Sequence, residues 1–291
     1  MKPEVSVIIP TYNRCAMVIE AVESVMAQRD VAFELIVVDD GSSDGTVEQL
    51  RDRFAGESRI GLLSIAHSGP AAARNRGVGV AQAELIAFLD SDDLWMSDKL
   101  TRQLAFMREN PAYAIAQTQE IWMRNGRRVN SGRRHRKRGG NIFVDSLRTC
   151  LISPSAVIMR RDLFNDAGGF DERLAACEDY DLWLRLLIDN ETGLLDDALV
   201  VRRGGHRDQL SATTPALDRF RIITLSKLME MPTLSSARRD AVVEVLVEKC
   251  LIYAQGLERR GNIAEAERYR ALALEATIAI RANSEQVALA Q

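Results

Sequence analysis

The stretch Leu85-Ile-Ala-Phe-Leu-Asp-Ser-Asp-Asp93 restricts the fold more than any other part of this chain. Five apolar residues in a row predict a strand covered on both faces, as found in mostly parallel sheets flanked by helices. The run ends in three carboxylates, Asp90, Asp92 and Asp93. Acid groups this close repel one another, and the strand ends of α/β sheets are where ligands usually sit. A hard divalent cation, Mg²⁺ or Mn²⁺, is the simplest use of such a cluster, because it takes oxygen ligands and shares its sphere with substrate phosphates. If the chain stays extended there, Asp90 and Asp92 project to one side and Asp93 to the other. The expected ligand pair is therefore Asp90 with Asp92. The tripeptide is also consistent with a polar turn leading into a helix N-cap.

The residues upstream follow the same logic. Strands are expected over 5–9, 33–38 and 60–65, with Pro10 ending the first. A helix with one apolar face is expected over 16–28, and further helices over 46–54 and 71–82. This alternation predicts a parallel sheet with helices on both sides. Acidic turns follow two of the strands, at Asp39-Asp40 and at Asp90 to Asp93, and a nucleotide would fit between them. The chain has neither GxGxxG nor GxxxxGK[ST], so phosphates would be held by a metal and by loop groups. Farther on, the patterns predict a helix over 95–110, strands over 113–122, 152–159 and 197–202, and helices over 161–167 and 178–189.

With 291 residues, 46% of them hydrophobic, the chain has room for one large domain and a smaller extension. The net charge of -3 argues against a general nucleic-acid binder. The chain has no N-terminal apolar signal and no apolar run long enough to span a bilayer. Cys15, Cys150, Cys177 and Cys250 are scattered without a CxxC pair, which predicts thiols in a reducing cytoplasm. Positive charge is concentrated in one segment, 124–140, which carries eight Lys or Arg and no acid. Without it the chain has 30 basic against 41 acidic residues. The segment reads either as a solvated hairpin tip or as an acceptor loop. In the second case it would attract a phosphorylated lipid carrier or the inner face of a membrane, giving peripheral contact. Without interleaved aromatics, a nucleic-acid role is not expected.

Four segments together resemble glycosyltransferase family 2 enzymes of the A-type (GT-A) fold. They are Val5-Ser-Val-Ile-Ile-Pro-Thr-Tyr-Asn-Arg14, Glu34-Leu-Ile-Val-Val-Asp-Asp-Gly-Ser-Ser-Asp-Gly-Thr46, Ala71-Ala-Ala-Arg-Asn-Arg-Gly77 and Phe88-Leu-Asp-Ser-Asp-Asp-Leu-Trp95. Gly168-Gly-Phe-Asp171 and Glu178-Asp-Tyr-Asp-Leu-Trp-Leu-Arg185 extend the likeness, which covers about residues 4–212. The resemblance implies an α/β GT-A domain over 1–213 and an inverting, metal-dependent transfer of sugar from a nucleoside-diphosphate sugar, a UDP-sugar above others. The acceptor would be a hydroxyl on a saccharide or lipid-linked molecule, as in cell-surface polysaccharide or glycolipid synthesis. Pro10 and Tyr12 would line the nucleoside pocket, with Asn13 and Ser91 in the same nucleotide-binding set. Asp40 would accept a hydrogen bond from a uracil-type N3–H, and Arg74 would approach the diphosphate or base. Asp92 would ligate the metal and Asp90 would lie nearer the ribose. Asp179 would be the catalytic base, and His206 would complete the metal or diphosphate site.

Each role has a plainer alternative. Tyr12 is consistent with a packing residue, Asp40 with the start of an Asx-turn, and Arg74 with a helix surface. Glu178 and Asp179 are consistent with acids favoured at a helix N-terminus. His67 and His135 have no such context. A sugar-1-phosphate nucleotidyltransferase and a non-catalytic nucleotide-sugar-binding scaffold remain as other classes, but no Gly-rich basic loop follows the first strand and no acid of the cluster is missing. From Thr214 the pattern turns wholly helical, over 217–229, 237–260 and 264–280, making 214–291 a C-terminal helical region. Asn262-Ile-Ala-Glu265 has the shape of a capping box. This region is consistent with packing on the catalytic domain, with a homodimer, or with contact to a partner.

Overall fold

The computed structural model describes residues 2–130, 132, 135–206, 209 and 214–289, with side chains as far as residue 278. Nine strands form one sheet: β1 Val5–Thr11, β2 Phe33–Asp39, β3 Ile60–Ser64, β4 Leu85–Phe88, β5 Leu94–Trp95, β6 Ile115–Arg124, β7 Arg127–Val129, β8 Val157–Arg160 and β9 Gly193–Gly204. The order is β3-β2-β1-β4-β8-β6-β9-β5, with β7 paired to β6. The first four strands of that order are parallel, and β8 then pairs antiparallel with β4. Helices α1 Cys15–Met26, α2 Thr46–Arg53, α3 Pro70–Val80 and α4 Lys99–Glu109 alternate with the early strands. Short helices α5 Phe143–Arg148 and α6 Arg161–Asp166 flank β8, and α7 Glu178–Leu187 precedes β9.

Period-two alternation along β1 builds two cores. Val5, Val7 and Ile9 face α1 and α4, where Val18, Val22, Leu100 and Leu104 cover them. Ile8, with Phe88 of β4, faces α3 and α7 on the other side. Both faces are therefore dry, which is why these strands are nearly all apolar. Gly77 shows how closely α3 crosses β1: a Cβ there would lie 2.5 Å from Ile8 Cγ2.

The structure departs from several sequence expectations. Pro10 does not end β1, which runs on to Thr11 in register with Asp39. Trp95 does not begin a helix; with Leu94 it pairs antiparallel with β9, Trp95 opposite Val200 and Leu94 opposite Val201. Tertiary hydrogen bonds decide this: Trp95 N–H donates to Ser24 Oγ (3.1 Å) and its indole Nε1 to Ser155 O (2.8 Å). The middle of the expected 152–159 strand is a 3₁₀ turn, Pro154–Ala156, and the strand begins only at Val157. The basic segment begins with a hairpin turn at Asn125 (φ 48°) and Gly126 (φ 73°), the left-handed pair that a two-residue hairpin needs.

The C-terminal helices are α8 Asp218–Met229, α9 Ser236–Arg259 and α10 Ile263–Leu289, with Gly261 (φ 81°) between the last two. They pack on the sheet and its helices: one apolar cluster runs from Ile8 and Phe88 through Trp183 to Leu225, Leu246 and Ala266. Polar ties reinforce it, with Lys227 Nζ of α8 2.6 Å from Asp181 Oδ1 of α7. Among the described residues, no helix is long and apolar enough to cross a membrane.

Candidate active site

A cavity of about 650 Å³ opens at the carboxyl ends of the parallel strands. It gathers Pro10, Tyr12, Asn13, Asp40, Arg74, Asp90, Ser91, Asp92 and Asp179, residues that lie far apart in the chain. His206 joins them through Asp92, its Nε2 2.9 Å from Asp92 Oδ2.

One end of the cavity is an aromatic and amide-lined recess. Tyr12, 42% exposed, stacks on His67 with ring centroids 3.9 Å apart and planes 18° off parallel. His67 Nδ1 in turn lies 2.8 Å from Asp40 Oδ2. Asp40 is buried and accepts hydrogen bonds from the backbone N–H groups of Ser68 (2.7 Å) and Gly69 (2.9 Å). The Asx-type turn belongs to its neighbour, since Asp39 Oδ2 accepts from Ser42 N (3.1 Å). Asn13 sits in the left-handed region (φ 49°), which Asn tolerates better than most residues. Its N–H donates to Ser42 Oγ and its Oδ1 accepts from Ser43 N, both at 2.8 Å, so it ties the loop after β1 to the loop after β2.

The middle is acidic. Asp93 N–H donates to Asp90 O (2.9 Å), so the chain turns directly after β4. This overturns the expectation that Asp93 points away: extended alternation ends at Asp90, and ligand oxygens of Asp90, Asp92 and Asp93 come within 4.8 Å of one another. Asp93 is buried, accepts from Ser155 Oγ (2.6 Å) and Arg203 N (2.9 Å), and its carboxyl is pushed well up by burial and by the charges of Asp92 and Asp90. Asp90 and Asp92 are more open. Asp90 meets Arg74 Nη2 at 2.7 Å, and Asp92 meets Arg14 Nη1 at 2.9 Å. Three crowded hard oxygens of one sign suit a divalent cation, and Asp90 and Asp92 are the pair not already sequestered beneath the turn.

The far end belongs to α7. Cys177 precedes it with φ 62°, an uncommon conformation for a residue with a Cβ, and this sets the helix N-terminus against the cavity. Asp179 is half-buried; its Oδ1 accepts from Tyr180 N (2.7 Å) and Cys150 Sγ lies 3.7 Å from its Oδ2. Burial and the charge of Asp179 push both flanking thiols up, Cys177 to about 12, so neither is a ready thiolate. Glu178 faces inward, buried, with Arg74 Nη1 2.7 Å from its Oε1. Burial raises its carboxyl and Arg74 opposes the rise. Arg74 therefore bridges Asp90 and Glu178 within the cavity wall, with both terminal nitrogens engaged.

Several cavity residues carry no role in the sequence reading. His67, given no context there, lines the recess; Arg14 and Arg203 flank Asp92; Leu217 and Arg221 reach in from the helical region. Two of them had a usable signal: Arg14 closes the first of the segments that carry the family resemblance, and His67 stands in a short loop after a strand. The basic segment also differs from expectation. Lys137 is buried, 3.2 Å from Glu120 Oε1, and Arg138 pairs with Asp145 at 2.8 Å. Arg133 and Arg134 lie outside the described residues.

A parallel-to-mixed sheet with acidic turns at its carboxyl edge and a closing helical region is the GT-A architecture. Residues 1–349 of S. aureus TarS in complex with UDP-GlcNAc share it, with a TM-score of 0.72 and 19% identity over 97% of this chain and 92% of that one. The pattern of the family described as "Glycosyl transferase family 2" matches residues 6–168, and the chain belongs to that family. An uncharacterized glycosyltransferase of Rickettsia felis is 37% identical over 67% of this chain and 32% of its own length. An Escherichia coli protein, UDP-Glc:alpha-D-GlcNAc-diphosphoundecaprenol beta-1,3-glucosyltransferase WfgD, is 35% identical over 66% of this chain and 73% of its own. The chain spans about a third or less of the length of the Rickettsia relatives it matches.

Proposed function

We propose that this chain transfers a sugar from a nucleoside-diphosphate sugar, a UDP-sugar in the first instance, to an acceptor hydroxyl with inversion at the anomeric carbon. The observation that carries the reading is the single cavity that runs from the Tyr12–Asp40 recess past the Asp90–Asp92 pair to Asp179. A nucleoside at one end, a diphosphate in the middle and a hydroxyl at the other match that order of groups. Tyr12 would stack on the base and Asp40 would take its N–H. Asp90 and Asp92 would hold a divalent cation, Mg²⁺ or Mn²⁺, with His206 beside them; such a cation neutralises charge on a departing diphosphate. Asp179 would accept the proton of the acceptor hydroxyl as its oxygen bonds to the anomeric carbon, and the bond to the phosphate oxygen breaks with its electron pair going to the diphosphate.

The E. coli relative acts on a diphosphoundecaprenol-linked sugar by name. That supports a lipid-linked saccharide as the acceptor class and synthesis of a cell-surface glycan as the setting. Exposed Arg124, Arg127, Arg128 and Arg136 leave the basic segment able to meet an anionic acceptor or membrane, with Lys137 excluded by its burial. The test is a thermal-shift panel of UDP, GDP, CDP and dTDP with and without Mn²⁺, followed by UDP release from the UDP-sugars. A ligand present at about 100 times its Kd raises stability by roughly 2.7 kcal/mol, a shift easily read. No shift with any nucleotide, with and without metal, overturns the reading.

A further inference from the structure

Beside the cavity the chain buries a set of charges that the proposed chemistry does not use. Glu120 of β6 has a side chain only 2% exposed. It accepts hydrogen bonds from Ser153 Oγ and from Trp122 Nε1 (2.9 Å), and Lys137 Nζ lies 3.2 Å away. Burial raises its carboxyl, but Lys137 and Arg202 outweigh this and bring it down to about 2. Glu120 is thus a fixed anion. Burying an ion network is expensive and is a poor source of stability, so what the network holds in place matters.

It holds Arg202. In the β6–β9 register Trp122 stands opposite Arg202, and the guanidinium lies over the indole, 4.8 Å from its centroid. Glu120 Oε2 is 3.8 Å from Arg202 Nη1, and the Arg202 side chain remains 40% exposed where it lines the cavity. Other cavity arginines donate to carboxylates: Arg14 to Asp92 at 2.9 Å, Arg74 to Asp90 and Glu178 at 2.7 Å, and Arg221 to Asp218 at 3.0 Å. Among the described residues none accepts a hydrogen bond from the Arg202 guanidinium; charge and stacking fix it instead. Partial burial opposes its charge, and the carboxylates of Glu120, Asp93, Asp90 and Asp179 more than offset that. Arg202 therefore stands within electrostatic reach of both the acid cluster and Asp179.

We propose that Arg202 is a catalytic residue whose guanidinium receives the diphosphate of the sugar donor, and that Glu120 and Trp122 are positioning residues that fix it. This rests on the nucleotide-sugar reading above. The bond that breaks joins the anomeric carbon to a phosphate oxygen, which leaves with the electron pair. Arg202 stabilises that charge through N–H donors and neither gains nor loses a proton, while the acceptor's proton goes to Asp179. A planar cation already stacked and charge-locked needs little reorganisation when the charge develops.

The test compares UDP with uridine by calorimetry on the full chain with Mn²⁺, for wild type, Arg202→Ala and Glu120→Gln. Arg202→Ala is expected to weaken UDP about 10- to 100-fold, the scale of a charge-assisted contact, while uridine binds as before. Glu120→Gln is expected to give a smaller loss with the same selectivity for UDP. Arg202→Gln keeps the stem and carries the same comparison should the alanine variant not fold. Unchanged UDP affinity in a folded Arg202 variant overturns the assignment, and so does an equal loss for UDP and uridine. If wild type binds no nucleotide, the nucleotide-sugar reading falls and takes this assignment with it. If wild type binds UDP and the Arg202 variants do too, only this assignment falls.

Discussion

Replacing Arg74 with Ala tests the architecture of the site most directly. Arg74 is the one cation placed 2.7 Å from both Asp90 and Glu178, and its side chain is 6% exposed. Removing it affects the two acids unequally. Asp90 is 30% exposed, so water can replace its lost partner. Glu178 is 5% exposed and keeps no other cation in contact among the described residues. Stranding a buried charge costs about 3–5 kcal/mol, to which the lost stacking of Arg74 over Phe170, 5.2 Å from the ring centroid, adds a smaller amount. At roughly 2–4 °C per kcal/mol for a chain of this order of size, melting should fall by about 10 °C. The sign of the pH dependence follows from Glu178. Its carboxyl is already raised by burial, with Arg74 opposing, so loss of Arg74 raises it further. A group raised in the folded state gives stability that is present below its unfolded value and lost as pH rises through the folded one. The deficit of Arg74→Ala relative to wild type should therefore be larger near about pH 8 than near about pH 5. Adding Glu178→Gln removes the stranded charge and should recover much of the loss. Differential scanning fluorimetry of wild type, Arg74→Ala and the double variant at both pH values provides the check. A deficit that does not change with pH, or that the double variant leaves intact, refutes the buried-charge account.

Asp179→Asn should lower kcat by about 10²–10⁴-fold, the usual scale for a lost general base, with UDP affinity by calorimetry unchanged. If Glu178→Gln loses turnover and Asp179→Asn does not, the base has been assigned to the wrong neighbour. Asp92→Ala should weaken UDP binding in Mn²⁺ and make it insensitive to chelator; chelator sensitivity equal to wild type counts against a metal at Asp92. Gly77→Ala should destabilise by about 1–3 kcal/mol, because its Cβ would meet Ile8 Cγ2 at 2.5 Å in a packed core. A melting temperature equal to wild type would show that α3 can move off the sheet at no cost.

The sequence made the central sheet and the acidic motifs at its edge legible because both are local signals. An apolar run such as Leu85 to Leu89 declares a strand covered on both faces, and the acids that follow lie at its end whatever the rest of the chain does. What escaped depends on contacts between distant segments. Leu94 and Trp95 carry helix-compatible neighbours, yet Ser24, Ser155 and β9 pull them into the sheet. Asp93 was assigned by strand alternation, but a turn closed by its own N–H brings it back beside Asp90. Lys137 looks like one more solvated cation in a basic run until Glu120, 17 residues earlier in the chain, is seen beneath it. His67 had no motif to mark it, and gains its place from Tyr12 and Asp40.

The change of pattern near residue 214 is a change in composition, not a seam in the molecule. Helix α7 presents Asp179 to the cavity from its first turn, and its buried Asp181 is gripped from behind by Lys227 (2.6 Å) and Thr224 (3.3 Å) of α8. The same helical region sends Leu217 and Arg221 into the cavity wall. A chimera that exchanged residues 214–291 for those of a relative would therefore leave the motifs around Tyr12, Asp40 and Asp90 untouched. It would alter both the seat of Asp179, the proposed base, and the cavity wall beside it, making this region a natural place to test for acceptor preference.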